Sequence, residues 1–210
     1  MSSSPSIHLD THATTDGAIN RSMLAIAFTW LCVDVGLGIS GFFSAHERFI
    51  GLFALAPVIL FIGAFAVSPV LRNWALTFEM RTLVTAQVVR MGGIAFLALY
   101  AVGKLNGTWA LWAGGIDCVV GLSALFVANY AIPVRTRAQR RTLIAWMLLG
   151  ILDFAVAIPL ARVMRVADPL GMAALAMAPL TVITTFFVPL AIMDYFVLGA
   201  ELWRQPTLTR

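Results

Sequence analysis

Six long apolar runs, separated by short polar segments, constrain the fold of this chain more than any other feature. They cover about residues 22–44, 49–67, 82–103, 108–131, 142–162 and 171–200. About 20 apolar residues are enough for a helix to cross roughly 30 Å of hydrocarbon. Lipid leaves backbone groups without water, and the runs show no alternation of period two, so each run predicts a helix. We therefore predict an all-α, polytopic transmembrane bundle of about six helices.

The composition supports a membrane protein and bounds the number of domains. The 210 residues are 60% hydrophobic and 11% charged, whereas soluble domains carry about 25% charged residues. This length accommodates one transmembrane bundle, predicted over 21–204, and no separate soluble domain. The polar segment 1–20 is predicted to be a disordered cytoplasmic tail, and 205–210 a C-terminal tail.

Basic residues predict the orientation of the bundle. They cluster at the ends of the apolar runs, most densely at 133–141, which is typical of a membrane protein and not of a nucleic-acid-binding one. An excess of Arg and Lys marks cytoplasmic loops. One side would carry Arg21, Arg72, Arg81, Arg135, Arg137, Arg140, Arg141, Arg204 and Arg210, and the other Arg48, Lys104, Arg162 and Arg165. Both termini are therefore predicted to be cytoplasmic.

Four charged residues lie within the apolar runs. Arg90 is in the third run, and Asp34, Asp117 and Asp153 are in the first, fourth and fifth. A charge at the bilayer centre costs at least about 2.5–3.5 kcal/mol unless it finds a partner. We therefore expect these four side chains to converge in the interior of the bundle, and the cluster to serve as a binding or proton-coupling site.

Small residues indicate which way two of the acids point. Gly114 and Gly121 lie three before and four after Asp117, and Gly150 lies three before Asp153. Small residues at this spacing form faces on which helices pack closely, so both carboxylates are expected to face other helices.

We expect Arg90 to pair with Asp117 or Asp153. Gln87 shares its helix face and would add a hydrogen bond. Asp194 and Glu201, near the cytoplasmic end of the sixth run, are expected to reach water.

The sixth run contains two prolines, Pro179 and Pro189, on either side of three threonines. Each proline removes a backbone hydrogen bond and favours a kink. The sequence leaves open whether this helix is kinked or only tilted.

Several chemistries are disfavoured. The three histidines, His8, His12 and His46, all lie outside the runs, so we predict no metal site, no cofactor and no catalytic residue. The Gly38–Gly41 segment matches the G-x-S-G string of intramembrane serine proteases, but no histidine base is available within the membrane.

The polar residues occur in a pattern, Q-x-x-R, then G-x-x-D-x-x-x-G, then L-D-x-x-V-A, that resembles a group of small, uncharacterised bacterial integral membrane proteins. The resemblance covers about half the chain. Two positions depart from the group: Ile116 replaces a glycine, and Asp194 stands near a usual histidine. The resemblance implies a multi-pass protein of the bacterial cytoplasmic (inner) membrane and supplies no activity.

Three hypotheses of function remain open at this point. The first is a small proton- or cation-coupled carrier whose site is the Arg/Asp cluster. The second is a non-catalytic subunit that docks on a larger membrane complex, with the bilayer and a membrane-protein partner or a second copy as its contacts. The third, a lipid-handling enzyme, lacks a candidate catalytic group, so the sequence favours a protein that is not an enzyme.

Overall fold

The computed structural model describes residues 11–205, with side chains from residue 19 onward, and in these residues the helices are joined by short loops and there are no strands. Six long helices follow one another along the chain. They are α1 (Thr11–Ile39), α2 (Arg48–Val67), α3 (Met80–Ala101), α4 (Gly107–Tyr130), α5 (Arg137–Ala167) and α6 (Leu180–Arg204). Each contains a segment long and apolar enough to cross a membrane. The predicted all-α bundle of six helices is confirmed, and the chain has the architecture of a multi-pass membrane protein.

The amino-terminal end differs from the sequence prediction. A disordered tail is predicted over 1–20, but α1 begins at Thr11. Extending an existing helix adds one hydrogen bond for each residue fixed, and no proline lies between Thr11 and Asn20 to stop it. Residues 1–10 and 206–210, and with them the rest of the two predicted tails, lie outside the described residues.

The start of the sixth helix also differs. The predicted run 171–200 is not one helix: Pro169–Met172 is a short helix, a single 3₁₀ turn follows, and the chain is extended at Met177 before α6 begins at Leu180. Pro179 directly precedes the helix, a position at which its missing N–H costs no helical hydrogen bond. Inside α6, Ile183–Phe187 forms a π-helical turn.

Side-chain caps fix several helix ends. The Asn106 side chain accepts a hydrogen bond from the Trp109 N–H at the start of α4 (3.1 Å). Asp168 accepts hydrogen bonds from the Asn106 amide and from the Gly171 N–H, each at 2.9 Å. The Asn106 bond, together with the Gly171 bond, holds the pKa of Asp168 below its usual 3.8. These contacts tie the loop after α5 to the start of α4.

The helices are not equally buried. Helix α4 lies between α3 and α5 and packs on both. Helix α6 packs on α2, α3 and α5, and 50% of the residues in its apolar segment are buried. In the apolar segments of α1 and α2 only 11% and 17% of the residues are buried, so these two segments lie at the periphery. The bundle interior is therefore built chiefly by α3, α4, α5 and α6.

Two apolar cores fill the bundle at its two ends. One lies where α3 and α5 begin, and it includes Leu83, Leu143 and Leu198. The other lies where α3 ends and α4 begins, and it includes Phe96 and Trp109. The charged residues of the interior lie between the two cores, at the middle of the helices.

Candidate functional site

The charged residues of the interior share one depth. Arg90, Asp117 and Asp153 each lie within about two residues, or roughly 3 Å, of the middle of their own helices α3, α4 and α5. Neighbouring helices therefore deliver one guanidinium and two carboxylates to the same level, far from either membrane surface.

Arg90 binds both carboxylates. Its Nε donates to Asp117 Oδ1 at 2.6 Å, and its Nη2 donates to Asp153 Oδ2. The three residues are 4%, 7% and 2% exposed. The sequence leaves open which acid pairs with Arg90, and the structure shows that both do.

The remaining guanidinium nitrogen is also satisfied. Nη1 donates to the Tyr195 hydroxyl oxygen at 3.1 Å and to the Gly150 carbonyl oxygen at 3.3 Å. The Phe154 ring lies 4.2 Å from the guanidinium carbon, close enough for a cation–π contact. Every nitrogen of this guanidinium has an acceptor, as a buried cation requires.

Gln87 joins the cluster through Asp194, a residue that the sequence predicts to reach water. Its Nε2 donates to Asp194 Oδ2 at 2.5 Å and to the Ala191 carbonyl oxygen at 3.2 Å. Asp194 is partly buried and bonded to α3, so it does not simply point away from the bundle as the sequence suggests. Asp194 and Tyr195 are the cluster residues that sequence reasoning missed. The position of Asp194 near a histidine of the resembled group was the available signal.

The backbone of α3 changes where these side chains leave it. Residues Gln87–Gly93 form a 3₁₀ helix, in which residues three apart lie directly above one another. Gln87 and Arg90 therefore project from one edge of α3 toward α6 and the acids.

Glycines let α3 and α4 approach closely enough for the Arg90–Asp117 contact. A Cβ atom on Gly93 would lie 2.6 Å from the Asp117 Cβ, and one on Gly121 would lie 2.8 Å from the Met91 backbone N. A Cβ on Gly114 would lie 2.7 Å from the Gly93 carbonyl oxygen. Gly114 and Gly121 thus sit on the α3 side of α4, above and below Asp117.

Gly150 has a different role from the other two glycines. A Cβ atom there would lie 2.8 Å from Arg90 Nη1. Its missing side chain is the space that the guanidinium and the Tyr195 hydroxyl occupy, so this glycine makes room for the cluster itself.

Asp34 does not belong to the cluster. It is fully buried in α1, it forms no ion pair with Arg90, and its polar contacts are weak ones to the Thr185 and Trp30 side chains. Among the helices of the interior, α1 packs chiefly on the first turns of α6. The prediction that all four charges converge is therefore wrong for Asp34, because the sequence does not reveal which helices are neighbours.

A cavity borders the ion pairs. Its volume is about 260 Å³, and Arg90 and Asp117 form part of its wall. The other lining residues are apolar or glycine: Val89, Gly92, Gly93, Phe154, Ile183, Phe187, Val188 and Ala191. Val89 is 46% exposed, so the cavity reaches the outer face of the bundle between α3 and α6.

The cluster carries more negative than positive charge in formal terms. One guanidinium faces Asp117 and Asp153, and the Asp194 carboxylate is connected to the same helix through Gln87. Asp153 Oδ1 is buried and has no hydrogen-bond partner. Within residues 19–205, no group of three His, Cys, Asp or Glu residues has the arrangement of a metal site. A proton or a small cation is the chemistry that would balance this charge.

Comparison with known proteins identifies a family but no activity. The model of a family described as a domain of unknown function (DUF8737) matches residues 48–199, which is most of the chain and includes α2 to most of α6. No curated protein and no solved structure matches the chain.

Proposed function

The chain belongs to the DUF8737 family, and we propose that it is a small proton- or cation-coupled carrier of the bacterial cytoplasmic membrane, with Arg90, Asp117 and Asp153 as its coupling site. The observation that carries the proposal is the cavity of about 260 Å³ whose wall includes Arg90 and Asp117. An ion pair that only fixed helix packing would need no open space beside it.

The cavity wall favours a small amphipathic substrate. Ligand pockets of about 300–1,000 Å³ hold drug-sized molecules, so a cavity somewhat below that range suits a small one. Apart from Arg90 and Asp117, its lining is apolar or glycine. Arg90 would bind an anionic or hydrogen-bond-accepting group of the substrate, and the apolar wall would hold the rest.

Coupling follows from competition for Arg90. An anionic group that binds the guanidinium displaces a carboxylate, and a carboxylate left alone at this depth is costly. A proton or cation that binds the displaced carboxylate removes the cost. Substrate binding and cation binding therefore favour each other, which is what a coupled carrier requires.

Helix α6 supplies an element able to move. Its π-helical turn, Ile183–Phe187, contributes two residues to the cavity wall. Such turns are frequent at functional sites and mark helix kinks. Straightening or bending at this turn would change access to Arg90.

The proposal is tested in proteoliposomes of the purified chain with a pH-sensitive dye trapped in the lumen. Small amphipathic anions are added outside one at a time, and a compound that enters together with protons acidifies the lumen. We expect Asp153→Asn and Arg90→Gln to abolish the response. Glu79→Gln, an exposed carboxylate before α3, is the matched control and should retain it.

Two outcomes would overturn the carrier. One is a response that persists in Asp153→Asn at the wild-type level. The other is a protein that gives no response to any compound and co-purifies with another membrane protein in a fixed ratio, since that result would favour a docking subunit.

A further inference from the structure

A second polar site lies between α1 and α6, separate from the Arg90 cluster. Asp34 is fully buried there, and neither of its carboxylate oxygens has a hydrogen bond of standard geometry; the Thr185 and Trp30 side chains are in weak polar contact with it. The Thr181 hydroxyl oxygen is also fully buried and without a partner. Three buried oxygen atoms without a standard hydrogen bond in one helix contact are unusual, because buried polar groups are normally paired.

The register of the two helices brings these oxygens together. The Trp30 ring contacts the Phe186 ring at 4.7 Å between centroids. Two turns further along α1, a Cβ atom on Gly38 would lie 2.9 Å from the Thr181 hydroxyl oxygen. Asp34 lies midway between Trp30 and Gly38 along α1, so it faces the section of α6 between these two contacts.

Thr185 completes the polar surface opposite Asp34. It is fully buried, and it lies one helical turn after Thr181 and beside Asp34. Its hydroxyl donates to the Thr181 carbonyl oxygen at 2.8 Å and is in weak polar contact with the Asp34 carboxylate. Its oxygen also has lone pairs that can face a cation.

We propose that the Asp34 carboxylate and the Thr181 and Thr185 hydroxyl oxygens bind a small monovalent cation such as Na⁺. Carboxylate and hydroxyl oxygens are hard ligands suited to such ions. A single carboxylate balances one positive charge, whereas a divalent ion would leave a net charge inside the membrane. Interrupted helices are also where carriers bind coupling cations, and Thr185 lies in the π-helical turn of α6.

A role of this second ion in transport rests on the proposed carrier function, but its binding does not. The test therefore measures binding alone. The thermal unfolding midpoint of the purified chain in detergent is compared in NaCl and in choline chloride at equal ionic strength. Binding to the folded state raises the midpoint with increasing Na⁺, and choline is too large for the site.

We expect Na⁺ to raise the wild-type midpoint and to leave that of Asp34→Asn unchanged. Thr181→Val should weaken the apparent Na⁺ affinity by about tenfold or more, since it removes one buried polar partner. Thr29→Val, an exposed threonine on α1, is the matched control and should respond like the wild type. If Asp34→Asn does not fold, Thr181→Val still tests the same site.

Two results would overturn the proposal. The first is a wild-type midpoint that is equal in the two salts, together with no binding of radioactive Na⁺ to the purified chain. The second is a Na⁺ response that remains at the wild-type level in Asp34→Asn or in Thr181→Val. A failure of the transport assay with a retained Na⁺ response would reject the carrier and keep this site.

Discussion

Replacing Arg90 with methionine should destabilise the protein strongly, and removing the two acids should reverse the loss. Arg90→Met leaves Asp117 and Asp153 buried without their cation. Breaking a buried pair by removing one partner costs about 3–5 kcal/mol. For a chain of this size, that corresponds to a fall of about 6–20 °C in the unfolding midpoint.

The triple variant Arg90→Met, Asp117→Asn, Asp153→Asn separates charge from packing. It has lost the guanidinium but no longer carries an uncompensated charge. Replacing a whole buried ion cluster by apolar side chains is often close to neutral in stability; Asn keeps the shape of Asp without its charge, so we expect this variant to recover much of the loss. Arg162→Met, on an exposed arginine of α5, is the control and should change stability by less than about 1 kcal/mol.

The assay is thermal unfolding in detergent followed by tryptophan fluorescence, with a titration in denaturing detergent to obtain free energies. The reasoning would be refuted by an Arg90→Met variant within about 1 kcal/mol of the wild type. It would equally be refuted by a triple variant less stable than Arg90→Met alone, since the two carboxylates would then not be what Arg90 compensates.

Three further predictions concern packing, pH and orientation. Gly121→Ala should lower the free energy of unfolding by about 1–3 kcal/mol, because its Cβ would lie 2.8 Å from the Met91 backbone N. Gly115→Ala, with open space around its Cβ, should be tolerated. The unfolding midpoints of the two variants, each compared with the wild type, test this prediction. The pKa of Asp168 lies below 3.8 in the folded chain, so its stabilising contribution is full above pH 3.8 and is lost as the pH falls through the lower folded-state value. The difference in unfolding midpoint between the wild type and Asp168→Ala should therefore shrink on acidification from pH 6 to pH 3, and a constant difference would contradict this. A fluorescent protein fused after the last residue should fluoresce and an alkaline phosphatase fused there should be inactive, whereas the reverse would show that the C-terminus is not cytoplasmic.

The Arg90 ion pairs could be predicted from the sequence because the membrane penalises isolated charges. That penalty, together with similar depths in the apolar runs, is enough to pair Arg90 with Asp117 or Asp153 without knowledge of the packing, and the structure shows that it pairs with both. The glycines beside Asp117 add the direction of the side chain. Both arguments use local sequence, which is why they succeed.

The surroundings of the cluster could not be predicted in the same way. Asp34 satisfies the same depth argument, but it lies on a helix that contacts α6, and the order of helices around a bundle is set by packing over the whole chain. The sequence predicts Asp194 near a helix end, because the predicted sixth run begins before the helix does. The start of α6 at Leu180 places Asp194 near the middle of that helix instead.

The central claim is that the carboxylates of the Arg90 cluster exchange protons or cations with water. Infrared difference spectroscopy of the protein in lipid bilayers tests this claim most directly. The pH of the bathing solution is lowered, and the band of protonated carboxyl groups is recorded. We predict a band that is lost in Asp153→Asn. In Glu79→Gln the band should remain, reduced only by the contribution of Glu79 itself. Identical difference spectra for the wild type and Asp153→Asn across the pH range would show a sealed ion pair that holds the helices together, and would contradict the account.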